Sequence, residues 1–160
     1  VCKGVAAYMA PAGMAADGWW IVGGGVKDIT DPQYIDEPFV EFIHETLRGG
    51  GLDPSISMFG TGYYFAVPWT ETLRIADELP GGMTRTNVIL AARNLHIWHP
   101  LMMDGITYAL DGAADAYAIE GSDFSQFDAE AQTWNQIGDL VDANGGTPPC
   151  AWDKDNGGCR

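Results

Sequence analysis

Three histidines, three cysteines and a scatter of carboxylates are the side chains of this 160-residue chain with the chemistry to act on a partner. His96 and His99 flank Ile97-Trp98. A helix running on through Trp98 would set them one turn apart on one face, as two metal ligands require, whereas an extended chain points them to opposite sides. Pro100 biases His99 toward the extended form, and no cysteine or carboxylate stands at a companion spacing. The ordinary use of these residues, His44 on a predicted helix included, is a surface or turn role, so no metal and no cofactor is expected. Asp104, Asp111, Asp115 and Glu120 offer carboxylates for glycoside hydrolysis, which needs two of them about 5 or about 7–9 Å apart across a cleft. Acidic turns are the commoner use of such residues. Asp153-Lys154-Asp155-Asn156-Gly157-Gly158 is similar to the start of a calcium loop but lacks the closing bidentate Glu. Gly23-Gly24-Gly25 follows an apolar strand, yet leads into a polar loop and not into a helix that would hold a phosphate. Trp19-Trp20 is either a stacking platform for a sugar or, as expected in an apolar stretch bounded by glycines, buried. No Gly-x-Ser-x-Gly and no phosphate-binding glycine loop is present, so the residues alone carry no catalytic motif.

Cys150 and Cys159 bracket a polar loop with an Asn-Gly-Gly turn, which can bring the two sulfurs together. A disulfide is expected there, the alternative being two reduced thiols; the bond would imply an oxidising compartment. Cys2 is left over, either free or paired outside this sequence. Lys and Arg total 8 against 22 Asp and Glu, a formal net charge of −14. Such a surface repels phosphates and anionic membranes, so no nucleic-acid partner is expected. Acidity of this kind keeps an extracellular or high-salt protein soluble. No run reaches the roughly 18 apolar residues of a membrane helix. A start at Val1, with no signal peptide, reads as a processed, truncated or excised chain.

The elements that must position these groups are legible from periodicity. Residues 18–23 read as a short buried strand, and residues 27–34 as a polar loop holding Asp28 and Asp31. Asp36 is the expected N-cap of a helix whose apolar residues are Phe39, Phe42, Ile43 and Leu47, stopped by Gly49-Gly50-Gly51. A second helix lies within 56–79, with Val67, Leu73, Ala76 and Leu79 near one face; Pro68 starts or kinks it. Thr84 caps a third, with Val88, Ile89, Ala92 and Leu95 as its stripe. Residues 105–110, 116–121 and 132–137 then read as strands of a short meander.

Several segments, in order, resemble the C-terminal region of type I periplasmic-type solute-binding proteins, the branched-chain amino acid branch of ABC-importer receptors in its actinobacterial form. They are Pro11-Ala12-Gly13-Met14-Ala15-Ala16-Asp17-Gly18-Trp19-Trp20, Asp31-Pro32 through Pro38-Phe39-Val40-Glu41-Phe42, Gly62-Tyr63-Tyr64-Phe65-Ala66, the run 83–95 from Met83-Thr84-Arg85 to Leu95, and Asp104-Gly105-Ile106-Thr107 with Asp111-Gly112. The resemblance implies an α/β chain with a partial type I periplasmic-binding-protein fold, helices followed by a short C-terminal β-meander. Residues 1–57 would end the second lobe, 58–103 return as a helical segment to the first, and 104–160 supply the last strands and a disulfide-closed tail. It implies an extracytoplasmic, non-catalytic importer component, a cell-surface lipoprotein or a periplasmic or secreted protein. Its partners would be a small polar solute, amino-acid-like or another small acid or amide, and an ABC permease. Either a missing N-terminal portion or a second copy of the chain would complete it. Lys3 falls where relatives place a carboxylate for the ligand amine, so it would meet an anion or stay solvated; Tyr63 would line the cleft or pack. A secreted hydrolase using the acidic residues, or a sensor or adhesion domain of the same fold, are the other readings. The disulfide is the expectation open to the simplest check: intact mass should rise by two hydrogens on reduction, and digestion should link Cys150 to Cys159. An unchanged mass removes the bridge.

Overall fold

The computed structural model describes residues 3–112, 114–146, 152–153 and 155–159. A π-helical turn, Val5–Met9, leads through a short helical stretch to β1 (Trp20–Val22). Helices α1 (Pro38–Gly49), α2 (Met58–Glu78) and α3 (Arg85–Arg93) follow. Short strands complete the described chain: β2 (His96–Ile97), β3 (Tyr108–Ala109), β4 (Gly121–Ser122), β5 (Phe124–Asp128), β6 (Thr133–Gln136), β7 (Val141–Asp142), β8 (Trp152–Asp153) and β9 (Gly158–Cys159). The class is mixed, helices with small antiparallel sheets. The chain divides into two interleaved units: Val1–Phe65 with Pro100–Gly105 and Ser122–Val141, and Ala66–His99 with Ile106–Gly121 and Asp142–Arg160.

In the first unit the strands order β1-β5-β6, all antiparallel, with Ile21 opposite Ser125 and Phe127 opposite Trp134. Alternation along each strand sends one set of side chains inward. Phe127 and Trp134 meet at 5.1 Å and pack with Ile21 against Val5, Met9 and Ala16 from the π-helical turn and the segment after it. The outward set is also largely apolar. Val22, Phe124 and Ile137 form one cross-strand row with Trp20 beside it, 42–62% exposed. Trp19 is 62% exposed as well, so the expected burial of Trp19-Trp20 does not occur. The strand is real, but it forms a sheet edge and only Ile21 reaches the core.

A second core joins α1 to the preceding loop. Val40, Ile43, His44 and Leu47 are buried at helical spacing, and Ile29, Tyr34 and Leu101 pack on them. His44 Nε2 lies 2.8 Å from the Ile29 carbonyl oxygen, so it is an interior tie and not a surface residue. Glu37, not Asp36, occupies the N-cap, without a side-chain cap bond, and Pro38 at N1 presets the first turn. Asp31 is 1% exposed and accepts from Gln33 N and Nε2, Thr133 Oγ1 and Trp134 N, pinning the loop to β6.

In the second unit Pro68 stands inside α2, which runs on through it to Glu78. The buried positions are Pro68, Thr72 and Ala76, while Leu73 is exposed. Thr84 caps α3 as expected, accepting from Asn87 N. The buried face of α3 is Asn87 and Ala91, followed by Leu95, and Ile89 is exposed. Asn87 is interior because its Nδ2 donates to the Pro80 and Gly82 carbonyls, which closes the preceding turn. The 105–110 stretch pairs only at β3, and with β2. Residues 116–120 form no strand, and β5, outside the strands that periodicity suggests, supplies the centre of the sheet. β8 and β9 form a hairpin around the Asn-Gly-Gly turn. Cys2 and Cys150, and with Cys150 the proposed bridge to Cys159, lie outside the described residues. Asp31→Ala should lower unfolding free energy by about 3 kcal/mol, since several donors lose a charged acceptor at once. Asp36→Ala, on the exposed side of the same turn, should stay within about 0.5 kcal/mol in the same denaturant titration.

Candidate functional site

The first unit is closed by an ion pair. Lys3 Nζ lies 2.7 Å from Asp123 Oδ2, with side-chain exposures of 8% and 0%. Burying two charges is tolerated only where geometry and further hydrogen bonds compensate their lost hydration. Both are supplied. Asp123 also accepts from Ser125 Oγ and Gly25 N, and Lys3 Nζ reaches the Val26 carbonyl at 3.4 Å. Gly23 is required here, because a Cβ on it would fall on the Asp123 carboxylate. Burial pushes the Asp123 carboxyl up, but the bonds from Lys3, Ser125 and Gly25 outweigh it and hold the group below its ordinary value. Lys3 is fixed from its backbone too, its carbonyl accepting from Trp134 Nε1 at 2.8 Å.

Beside this pair opens a pocket of about 140 Å³, walled by Lys3, Gly4, Asp28, Ser57, Thr61 and Tyr64 among others. Asp28 Oδ2 accepts from Val5 N at 2.8 Å and from Thr30 Oγ1 at 2.6 Å. Thr30 Oγ1 is 2.9 Å from Ser57 Oγ, so a line of hydroxyls runs from the pocket wall to the carboxylate. Gly4 permits this approach, since a Cβ there would stand 3.0 Å from Ser57 Oγ. Burial raises the Asp28 pKa; the bonds from Thr30 and Val5 lower it less, and the charge of Asp31 adds to the rise. Asp28 and Asp123 are therefore shifted in opposite directions within one unit.

Of the residues expected to bind a solute, Lys3 does wall the pocket, with its ammonium directed at Asp123. Tyr63 packs edge-on against Phe39 and Phe42 at 6.4 and 6.3 Å, and its neighbour Tyr64 takes the place in the wall. The glycine loop 23–25 is turned inward: its amides donate to the Asp123 carbonyl, Ser122 Oγ and Asp123 Oδ1. His96 lies on β2 and is exposed, whereas His99 is buried, its ring stacked on Tyr108 at 5.9 Å. Among the described residues no group of three or more His, Cys, Asp or Glu is arranged to hold a metal. Asp111 and Asp115 close a turn through their backbones, and neither they nor Asp104 and Glu120 wall the pocket. Asp28, Ser57 and Asp123 escaped the sequence reading; the one local sign was an Asp-x-Thr pattern at 28–30, which favours a side-chain-capped turn.

Removing one partner of the buried pair should cost about 3–5 kcal/mol, because the other charge is stranded. Asp123→Asn should show this in denaturant unfolding at neutral pH, and wild-type should lose stability as pH falls from the ordinary carboxylate range through the depressed Asp123 value. Asp28 has the opposite sign. Its raised value means that its charge costs stability above that value, and the cost lifts as pH falls toward the ordinary one. Asp28→Asn should therefore be as stable as wild-type, or more so, at neutral pH; a loss as large as that of Asp123→Asn would contradict this assignment.

No protein-family model, curated protein or solved structure matches the chain.

Proposed function

We propose that this chain is a binding module that takes a small polar solute in the pocket at Lys3, Asp28 and Ser57, and serves as the extracytoplasmic receptor part of an ABC importer. The observation that carries the reading is the pocket itself: a small recess whose polar wall is charged, buried and already hydrogen-bonded before any ligand arrives. Preorganised polar groups in an otherwise apolar recess are what orient a small solute. Binding fits this wall better than catalysis does. The Ser57 hydroxyl is committed to Thr30, and among the described residues the pocket wall contains no histidine or cysteine to act as base or nucleophile. Among the described residues no helix is long and apolar enough to cross a membrane. The resemblance to type I periplasmic-type receptors supplies the importer, the compartment, and the missing N-terminal portion or second copy that would complete the receptor.

The test is thermal denaturation of the purified protein against a library of small amines, amides, acids and sugars, with each solute followed by NMR. One solute class should raise the midpoint, by about 2.7 kcal/mol of added stability at a hundredfold excess over its Kd, and remain chemically unchanged. No stabilisation across the library, or turnover of the stabilising solute, would overturn the reading.

A further inference from the structure

The charges around the pocket do not balance. Lys3 is spent on Asp123, and Lys27 on Glu37 at 2.8 Å. Among the described residues Asp28 has no such partner: its donors are the Val5 amide and Thr30, and no cation is among the causes of its pKa shift. A carboxylate has room for about four hydrogen bonds, so these neutral donors leave it capacity.

The hydroxyl line has a direction. Thr30 has one hydroxyl proton, and it is given to Asp28. Thr30 Oγ1 therefore accepts from Ser57, as it does from Ala6 N at 3.2 Å. With its own proton turned toward Thr30, Ser57 offers only lone pairs to the pocket. Two acceptors, one of them anionic, thus belong to the wall and are joined through Thr30. Among the described residues, the two lysine ammoniums of the wall and the amides of Gly23, Gly24 and Gly25, which would suit an anion, are engaged with other groups.

We infer that the solute of this pocket is a small organic cation, a primary or secondary ammonium, held by Asp28 and the Ser57 oxygen. This rests on the binding function proposed above and narrows its ligand, away from acids and from α-amino acids, whose carboxylate would find both wall lysines already paired. The size is set by the cavity: about 140 Å³ is close to the roughly 150 Å³ that admits a benzene molecule in an engineered protein cavity. The remaining wall suits a cation too. Tyr64 and Phe65 stand edge-to-face at 5.5 Å at the pocket, and an ammonium near such rings is stabilised by their quadrupoles. A bound ammonium would also give Asp28 the counter-charge that burial makes it lack.

Isothermal titration with butylammonium, butyramide and butyrate compares a cation, a neutral solute and an anion of one size. Butylammonium should bind, butyramide at least tenfold more weakly, and butyrate not measurably. Asp28→Asn should weaken butylammonium at least tenfold while keeping the wild-type circular dichroism spectrum. Ser57→Ala, which removes the second acceptor and leaves the charge, should weaken it severalfold and carries the test should Asp28→Asn fail to fold. Butyrate or butyramide binding as tightly as butylammonium would overturn the cation assignment and leave solute binding standing. Failure of all three to bind would also overturn it, and the broad library then decides whether the pocket binds any solute.

Discussion

A lysine near one end of the chain and an aspartate 120 residues away share one proton-donating contact on which the first unit is built. Neither charge tolerates burial alone. Their neighbourhood is consequently shaped to serve them. β5 turns a serine inward where an apolar residue would fill space better, because Asp123 needs the hydroxyl. The loop after β1 uses glycine at 23 because the carboxylate occupies the volume of a side chain. The same loop folds its amides inward and not toward solvent. The π-helical turn leaves Lys3 against Trp134, which joins the ion pair to the apolar packing of the sheet.

That arrangement gives the pocket its character. One carboxylate of the unit is met by a cation and two further donors, and its pKa falls; another is given neutral donors only, and its pKa rises. Environments that drive two like groups apart mark a place where one is structural and the other is kept reactive or receptive. On the binding function proposed above, Asp123 is the structural one and Asp28 the one that would receive the solute.

What the sequence disclosed follows from the range of the interactions involved. The Thr84 cap, the proline-led α1 and its Gly-rich stop are set by neighbours a few residues apart, and all are where the spacing places them. β5 was hidden because its interior carries Ser125 and its partners lie on segments far away in the chain. Helix phase was readable for Ile43 and Leu47 but not for α3, where Asn87 goes inside for the sake of two carbonyls that no periodicity reveals. The pocket was least legible. Lys3, Asp28, Ser57 and Asp123 come from separate segments, and only Lys3 stood out, through a resemblance. Tyr63 and Tyr64 differ by one helical step, and which of them meets the pocket depends on how Phe39 and Phe42 pack.

The outward row of Val22, Phe124 and Ile137 gives the acidity of the chain a specific task. A sheet edge with an apolar flank is a template on which further strands can stack, and copies of this protein present it to one another at every encounter. With a formal charge of −14 on each, the encounter is repulsive at range, and the barrier is colloidal and not steric. Its height depends on the ionic atmosphere, since roughly 0.15 M salt confines the repulsion to about 8 Å. The solubility of this protein is thus a property of its solvent as much as of its sequence, with the sheet edge as the surface at which that dependence is felt.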